Sequence, residues 1–507
     1  MKSTTKNHST ARKFKKATAM AAASFMIMSL VLGGCGSAAT SQISAETTQT
    51  AEVETQTAEA EAQTAEAETQ TAEAETQTAE AEAQNANATT TTTDSSAATP
   101  VINVSETIEN NADGEHAITA DGEEASYANI AVVKTGEADG DEADFYGENA
   151  AIFATNGATL TLNEITVDTD GKHANGVFSY GEGTTVNISD SVIETTGNCS
   201  GGLMTTGGGT MNATNLTIHT TGNSSAAIRS DRGGGTVNVT GGSYTTDGKG
   251  SPVIYSTADI TVSDATMEST ASQGVVVEGK NSVTLNNVNL TANNNTKNSD
   301  KSEWYQAVMI YQSMSGDAAE GLASFAMNGG SLTNLNGDVF FVNNTSATID
   351  LTGSTIVNED SEGVFLRAAA AGWGSEGSNG GHVTLTAAQQ EINGDMLVDE
   401  VSSLNLYLSK NSLFTGSINP SGAAGDVYVE IEDGSIWTLT GDSYITSLTC
   451  SAGSINLNGY KLYVNGVEYT EGSSSEGEAI VVETSSSSSH GGPGSDGSEP
   501  PAKPGSN

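Results

Sequence analysis

A short three-part repeat constrains the fold of this chain more than any other feature. Residues 101–471 align in blocks of about 20–26 residues, and the clearest are 183–208, 209–234 and 235–258. Each block holds three short runs in which apolar and polar residues alternate, separated by polar turns. Alternation with a period of two places one face of a strand inside and the other outside. Repetition at this spacing predicts one stacked structural unit per block.

Three strands per block, with no helical segment, predict an all-β fold. The prediction is a single-stranded right-handed parallel β-helix of about 12 coils, with three strands per coil. Inward positions of the first and second strands are occupied by apolar residues such as Leu160, Leu162, Val167, Val186, Ile188 and Ile193. At ~4.8 Å per coil, the body is a rod of roughly 60 Å. A β-propeller fits less well, because its blades have about 40 residues and four strands.

The N-terminus carries an export signal. Residues 1–16 contain six basic residues and no acid, and the apolar residues 17–34 precede Cys35. This pattern predicts a signal peptide over residues 1–34. The run Leu32-Gly33-Gly34-Cys35 resembles the lipobox of bacterial lipoproteins, which implies that Cys35 is lipidated and holds the mature chain at the extracellular face of the cell envelope. A plain signal peptide or a membrane span is the alternative, although a span needs about 20 apolar residues.

Two low-complexity segments flank the repeats. Residues 35–100 form a stalk of Ala, Glu, Thr and Gln, with a seven-residue repeat over 49–84. The stalk lacks the large apolar residues that a coiled coil buries, so we expect a disordered, solvated spacer. Its 65 residues from 36 to 100 would extend to at most about 220 Å. Residues 472–507 are rich in Ser, Gly and Pro and are predicted to be a disordered tail.

The chain is strongly acidic. It has 63 Asp and Glu against 18 Lys and Arg, a formal net charge of −45. Removal of the signal peptide leaves 12 basic residues, so the mature charge is 12 − 63 = −51. This balance excludes nucleic acid as a partner, because phosphate binding needs a basic surface. Residues 101–471 hold 46 acids against 11 bases, so an anionic ligand would be met locally, at Arg229 and Arg367.

The body resembles known families. Its coils look like those of the pectate-lyase-like superfamily and of pertactin-type adhesin stems. The stretch 434–466, with Trp437, the run Thr440-Gly441-Asp442-Ser443 and a final Leu-Tyr-Val-Asn-Gly, is similar to the last coils of autotransporter passengers, so residues 434–471 are interpreted as cap-like coils. The whole body also resembles adhesin-like bacterial lipoproteins. The resemblance implies the fold and a surface location, whereas such folds carry lyases, hydrolases, adhesins and stalks alike.

Catalytic and metal-binding patterns are weak. β-Helix hydrolases need two or three converging carboxylates, but Asp231, Asp247 and Asp264 fall at different registers of successive blocks. We therefore assign no catalytic residue and no cofactor. Calcium is an alternative at the acidic stretch 137–144, with Asp139, Asp141 and Asp144 as candidate ligands, although the spacing is not that of an EF-hand.

Two of the cysteines test the predicted register. Cys199 and Cys450 lie nine coils apart, or ~43 Å along the rod. A disulfide requires Cα atoms within about 7 Å. Both thiols are therefore expected to be free.

The third strand supplies a candidate binding face. Aligning its copies predicts one outward column of Tyr180, Thr206, Arg229, Tyr255, Glu278, Tyr311, Val342 and Arg367. A second predicted outward column contains Phe178, Met204, Ala227, Val253, Val276, Met309, Phe340 and Phe365. Aromatic faces beside Arg and Glu suit sugar rings and their carboxylates. The candidate ligand-binding residues are Phe178, Tyr180, Arg229, Tyr255, Glu278, Tyr311, Phe365, Arg367 and Trp373, the last on a long insertion. Whether loops cover this stripe is left open.

The leading hypothesis is a lipid-anchored adhesin that binds a polysaccharide or a host-surface glycan. A β-helix polysaccharide lyase or hydrolase is the second, and a structural spacer is the third. Detection of bound glycan, and of new reducing ends or unsaturated products, separates the three classes.

Overall fold

The computed structural model describes residues 100–481 except 298, 300 and 302. Across them the chain forms a parallel β-helix, which confirms the predicted fold class. The predicted signal peptide, Cys35 and nearly all of the stalk lie outside the described residues. In the part of the chain that is described, the one α-helix spans Asp141–Phe145, and no helix is long and apolar enough to cross a membrane.

Each coil contributes a first, a second and a third strand. The first strands are Glu124–Ala128, Thr159–Asn163, Thr185–Ser189, Asp259–Ser263, Ser282–Asn286, Leu322–Asn328, Thr345–Thr352, Gly381–Ala388, Ser403–Ser409, Asp426–Ile431 and Ser447–Cys450. The second strands are Glu106–Asn110, Ile130–Lys134, Thr166–Thr169, Val192–Thr195, Thr266–Ser269, Asn289–Ala292, Ser331–Asn334, Thr355–Asn358, Glu391–Asn393, Leu413–Thr415, Ile436–Thr438 and Ile455–Asn456. In two coils the first and second strands are continuous, over Gly209–Thr220 and Gly235–Thr246.

The third strands form a separate eleven-stranded sheet. They are Ile118–Asp121, Ile152–Thr155, Val177–Tyr180, Leu203–Thr206, Ile228–Ser230, Ile254–Ser256, Val275–Glu278, Gln306–Tyr311, Asp338–Asn343, Leu366–Ala368 and Met396–Val398. The last two coils continue with Ser443–Ile445 and Leu462–Val464, and Val467–Glu468 returns antiparallel to the latter. The first strands and the two continuous strands together make thirteen rungs, so the rod is roughly 60 Å long at ~4.8 Å per rung.

The core is a set of apolar columns. Leu160 lies beside Val186, and Val186 lies beside Met211, in register from coil to coil. The inward residues of all three strands form one continuous buried cluster along the rod. Outward positions of the first strand are Thr, Asn and Ser, which hydrogen-bond along the rod, as when Asn212 Nδ2 donates to Asn187 Oδ1 at 3.0 Å.

A single left-handed residue makes the corner between the first and second strands. Asp190, Asn215, Asp264 and Asn287 all have φ between 48° and 56°. Asn and Asp tolerate this conformation better than other side chains with a Cβ. Their side chains also bond between coils: Asn215 Nδ2 donates to Asp190 Oδ1 at 2.7 Å, and Asn287 Nδ2 donates to Asp264 Oδ1 at 2.7 Å.

Glycine and serine order the turn between the second and third strands. A methyl group on Gly197 or Gly222 would overlap the carbonyl oxygen of the glycine one coil earlier. Ser225 Oγ donates to that same Gly197 oxygen at 3.0 Å, and Thr220 Oγ1 donates to Ser225 O at 2.5 Å. This close approach of backbones explains the recurring Thr-x-Gly-x-x-Ser pattern of the repeats.

The C-terminal end is covered by the chain itself. Ser475 forms an antiparallel bridge with Cys450 on the last rung, and residues up to Ile480 bond to outward side chains of earlier rungs. The first residues of the segment predicted to be a disordered tail from residue 472 thus lie on the rod.

The cysteines differ from one another. Cys450 is a buried free thiol, as expected. Cys199 is buried and disulfide-bonded, so the prediction of a free thiol is wrong for Cys199. Since Cys450 is free, the bridge does not join these two residues, in agreement with their separation. The prediction failed because it weighed only the pairing of Cys199 with Cys450.

Gly222→Ala should destabilise the rod by about 2 kcal/mol, because the added methyl overlaps the Gly197 carbonyl and forces two coils apart. Urea unfolding monitored by circular dichroism measures the change. The control is Gly157→Asn, since Gly157 has φ of 77° and no atom within 4 Å of an added Cβ. Equal stability of Gly222→Ala and wild type would show that the turns are not in close contact.

Candidate functional site

The outward face of the third strand differs in register from the prediction. One column runs through Phe178, Met204, Arg229, Tyr255, Val276, Met309, Phe341 and Arg367. A neighbouring column pairs Tyr180 with Thr206, and Glu278 with Tyr311 and then Asn343. The predicted columns therefore mixed two real ones. The two columns lie on the same face of the sheet, because their residues are two apart along each strand. This face is the outward one, since the alternate residues, such as Val177 and Leu203, belong to the core.

Five residues predicted to be outward belong to the core instead. They are Ala227, Val253, Phe340, Val342 and Phe365. Phe340 and Val342 were misplaced because an offset of one residue exchanges the two faces of a strand. Ala227, Val253 and Phe365 directly precede their strands, where the chain turns towards the interior. Phe365 is 1% exposed and contacts Phe340 with ring centroids 5.5 Å apart.

Loops cover the outward columns, which answers the question that the sequence left open. The segment with helix Asp141–Phe145 lies over one part, where Thr206 Oγ1 donates to Phe145 O at 2.7 Å. Phe178 and Met204 are fully buried there with Phe153, and Tyr180 contacts them. Further along, Trp373 lies against Tyr311 with ring centroids 5.2 Å apart. These residues therefore form two separate buried clusters outside the main core.

Arg232 holds two of the covering segments together. Its Nε donates to Asp317 Oδ1 at 2.6 Å, and its NH1 donates to Asp141 Oδ2 at 3.0 Å. Its guanidinium carbon lies 3.7 Å from the centre of the Phe145 ring. One side chain at the end of a third strand thus bonds to the N-terminal helix and to the insertion around residue 317.

Charged groups are buried beneath this cover around Arg229. Its NH2 lies 2.7 Å from Asp231 Oδ2, and its NH1 lies 3.2 Å from Asp144 Oδ1. Asp144 Oδ1 also lies 3.8 Å from His173 Nδ1. Burial raises the pKa of Asp231, Arg229 opposes this shift, and Asp144 adds to it. One guanidinium between two carboxylates ties the helix to the strand sheet.

A second buried group joins Tyr255, Glu278 and Tyr311. Both phenol hydroxyls donate to Glu278 Oε2, that of Tyr311 at 3.0 Å. Burial raises the pKa of Glu278, and hydrogen bonds from Ser313, Tyr255 and Tyr311 act in the opposite direction. The depression above Tyr255 and Arg229 holds a volume of about 20 Å³, room for one water molecule. A sugar ring cannot reach these residues in this structure.

In the acidic stretch 137–144, considered above as a calcium site, the three candidate ligands each form an ion pair with a different basic residue. Asp139 pairs with Lys172, Asp141 with Arg232, and Asp144 with Arg229. Across the described residues, no group of three or more His, Cys, Asp or Glu side chains is arranged to hold a metal ion. A groove of about 320 Å³ at the C-terminal end is lined by Glu430, Glu432, Asp433 and Glu476 among others, and all of its charged lining residues are acidic.

Arg367 reaches the rim of the covered face. Its side chain is 17% exposed, and its Nε donates to Asp338 Oδ2 at 2.6 Å. The guanidinium carbon lies 4.6 Å from the centre of the partly exposed Trp304 ring. Trp304 in turn contacts Phe341, with ring centroids 5.4 Å apart. The ammonium of Lys297 lies 5.4 Å from the centre of the Tyr305 ring.

We call Lys297, Trp304, Tyr305 and Arg367 the rim patch. Trp304 and Tyr305 lie in the insertion that precedes the third strand Gln306–Tyr311, whereas Arg367 lies within the third strand Leu366–Ala368, and the structure brings them together. Because Lys301 and Gly372 are in close contact, this insertion also meets the one that carries Trp373. The length of a loop does not reveal the direction in which the loop folds, so the contact between Trp304 and Arg367 could not be predicted from the sequence. The only sequence signal for the rim patch was the presence of aromatic residues in this insertion.

We compared the chain with known families, proteins and structures. No family model, curated protein or solved structure matches the chain. The fold is therefore established by the strand pairing alone.

His173→Asn should make the rod less sensitive to acid. Burial lowers the pKa of His173 to about 4, while the unfolded value is 6.5. Unfolded chains therefore bind a proton that the folded rod does not, and stability falls as the pH drops from 6.5 to 4. The full loss is about 3 kcal/mol at 1.36 kcal/mol per pKa unit. Asn suits the left-handed φ of 56° at this position.

Urea midpoints of wild type and His173→Asn at pH 7 and pH 4 measure this effect. The variant should lose less stability than wild type between the two pH values. An equal loss in both proteins would mean that His173 becomes protonated in the folded rod.

Proposed function

We propose that this protein is a lipid-anchored cell-surface rod that binds acidic glycans through the rim patch. The observation that carries the proposal is the meeting of Lys297, Trp304, Tyr305 and Arg367 at one edge of an acidic body. Only 11 of residues 101–471 are basic, against 46 acidic. Two of those bases lie over aromatic rings in this patch.

The chemistry of the patch suits a sugar that carries a carboxylate. Tryptophan and tyrosine rings stack on the apolar faces of sugar rings. Guanidinium groups bind carboxylates through charge-assisted hydrogen bonds. Asp338, which is buried, holds one edge of the Arg367 guanidinium and so fixes its direction. A preset guanidinium loses less freedom when a ligand binds.

The rest of the molecule supports a role in display. The rod is roughly 60 Å long, and the stalk sequence extends to at most about 220 Å. An anchor at Cys35 would leave this whole length between the membrane and the end of the chain. The buried carboxylates Asp231 and Glu278 lie under loops, where a polysaccharide cannot reach them, so we do not propose hydrolysis or elimination.

Trp304→Ala should weaken binding to an acidic polysaccharide by at least tenfold, because it removes the stacking surface beside Arg367. The full-length protein is titrated with polygalacturonate as the probe, and the affinity is measured by calorimetry. Tyr460→Ala is the matched control, since Tyr460 is 41% exposed and lies next to Lys461 on the last coil.

Three outcomes contradict the proposal. Binding that is unchanged in Trp304→Ala rejects the rim patch. Absence of binding to any member of an acidic glycan array supports a spacer. New reducing ends or unsaturated products identify an enzyme.

Cys35→Ser should release the protein from the membrane fraction of a bacterium that processes lipoproteins. Cys450→Ser, which changes a buried free thiol, is the control and should stay in the membrane fraction. Peptide mass mapping of the wild type tests the same point directly. A sulfur that carries a lipid cannot form a disulfide, and the chain has three cysteines, so an anchor at Cys35 requires that Cys199 is bridged to a second molecule. A peptide in which Cys35 is bridged to Cys199 would overturn the anchor.

A further inference from the structure

The outer face of the first strand binds an extended chain at its C-terminal end. The N–H of Gly477 donates to Thr449 Oγ1 at 3.0 Å, and the Thr449 hydroxyl donates to Gly477 O at 3.2 Å. The N–H of Glu478 donates to Ser447 Oγ at 3.0 Å. These contacts join outward side chains of the last rung to the main chain of residues that follow the final coil.

Asn405 makes the same kind of contact two rungs earlier. Its Nδ2 donates to Ile480 O at 3.0 Å, and the N–H of Ile480 donates to its Oδ1 at 2.9 Å. Asn405 is in register with Tyr428, and Tyr428 with Ser447. The Asn405 amide therefore forms hydrogen bonds with both the main-chain N–H and the main-chain carbonyl oxygen of Ile480.

The spacing of the rungs matches an extended chain. Three residues at about 3.3 Å each span about 10 Å, and two rungs at ~4.8 Å span nearly the same length. Gly477 over the last rung and Ile480 two rungs earlier are three residues apart. A chain that runs along the rod can thus contact outward side chains that lie two rungs apart.

The site selects mainly through one position. Glu476, Glu478 and Ala479 are exposed, so their side chains contribute little to the contact. At Gly477 a Cβ would overlap Ser447 Oγ and lie 2.8 Å from Leu448 O. Main-chain hydrogen bonds supply affinity and one tight position supplies specificity, as in other modes of extended-peptide recognition.

We propose that Asn405, Ser447 and Thr449 form a receptor for a single extended polypeptide with a glycine over Ser447. Its resident occupant is the protein's own segment, residues 473–480, which acts as a separable clasp over the last coils. The same segment supplied by another chain occupies the receptor when the resident one is displaced. This site is independent of the rim patch and of glycan binding.

Limited proteolysis of the full-length protein tests the clasp in its own chain. A glutamate-specific protease should cleave after Glu478 at least tenfold faster in Gly477→Ala and in Asn405→Ala than in wild type, because a protease needs the main chain free. Thr384→Ala is the matched control: Thr384 is the equivalent residue one rung before Asn405. Equal cleavage rates in wild type and Gly477→Ala would overturn the proposal.

A labelled peptide tests the receptor with a second chain. The probe is SSSEGEAIVV, residues 473–482, and binding is measured by fluorescence polarisation. It should bind full-length Gly477→Ala at least tenfold more tightly than wild type, whose receptor is already filled. The double variant Gly477→Ala, Asn405→Ala should lose that binding, and so should a peptide with alanine in place of its glycine. Failure of the peptide to bind Gly477→Ala, or equal binding to the double variant, rejects the receptor.

Discussion

Stacking of equivalent residues at about 4.8 Å is the constraint on which the whole rod depends. Each side chain in a paired strand lies directly over its counterpart in the previous coil and under its counterpart in the next. Apolar columns such as Leu160, Val186 and Met211 therefore merge into one continuous core. The same constraint makes a turn as tight as that at Gly222 possible only where the neighbouring residues also lack side chains. The side chains of each repeat must therefore pack against those of both the preceding and the following repeat.

In the third strand, one outward column contains unlike side chains in successive coils. Arg229 lies in register between Met204 and Tyr255, so no similar side chain accompanies it. An unpaired charge there would be costly to bury, so partners have to come from outside the column. Asp144 comes from the helix segment, and Asp231 directly follows the strand that carries Arg229. The covering loops therefore neutralise a face that the repeat itself cannot satisfy.

The sequence predicted the coils well because their determinants are local. Alternation marks the strands, and Asn or Asp marks the corner between the first and second strands, as at Asn215 and Asp264. The face of the third strand was less predictable. The predicted alignment was offset by one residue at the strand Asp338–Asn343, which moved Phe340 and Val342 from the core to the surface in the prediction. The covering loops have no repeat, so nothing local indicated that Trp304 would lie against Arg367.

Charge pairing decides which part of so acidic a rod could hold an anion. Lys172, Arg229 and Arg232 are paired with carboxylates of the covering segments. Such pairs leave little positive potential for a ligand. In the rim patch Arg367 is likewise paired with a carboxylate, that of Asp338, whereas the Lys297 ammonium lies over the Tyr305 ring, which leaves its positive charge in place. A single patch of this size implies weak binding by one rod. Many rods anchored on one surface would bind a long polysaccharide strongly, since each further contact is made at high effective concentration.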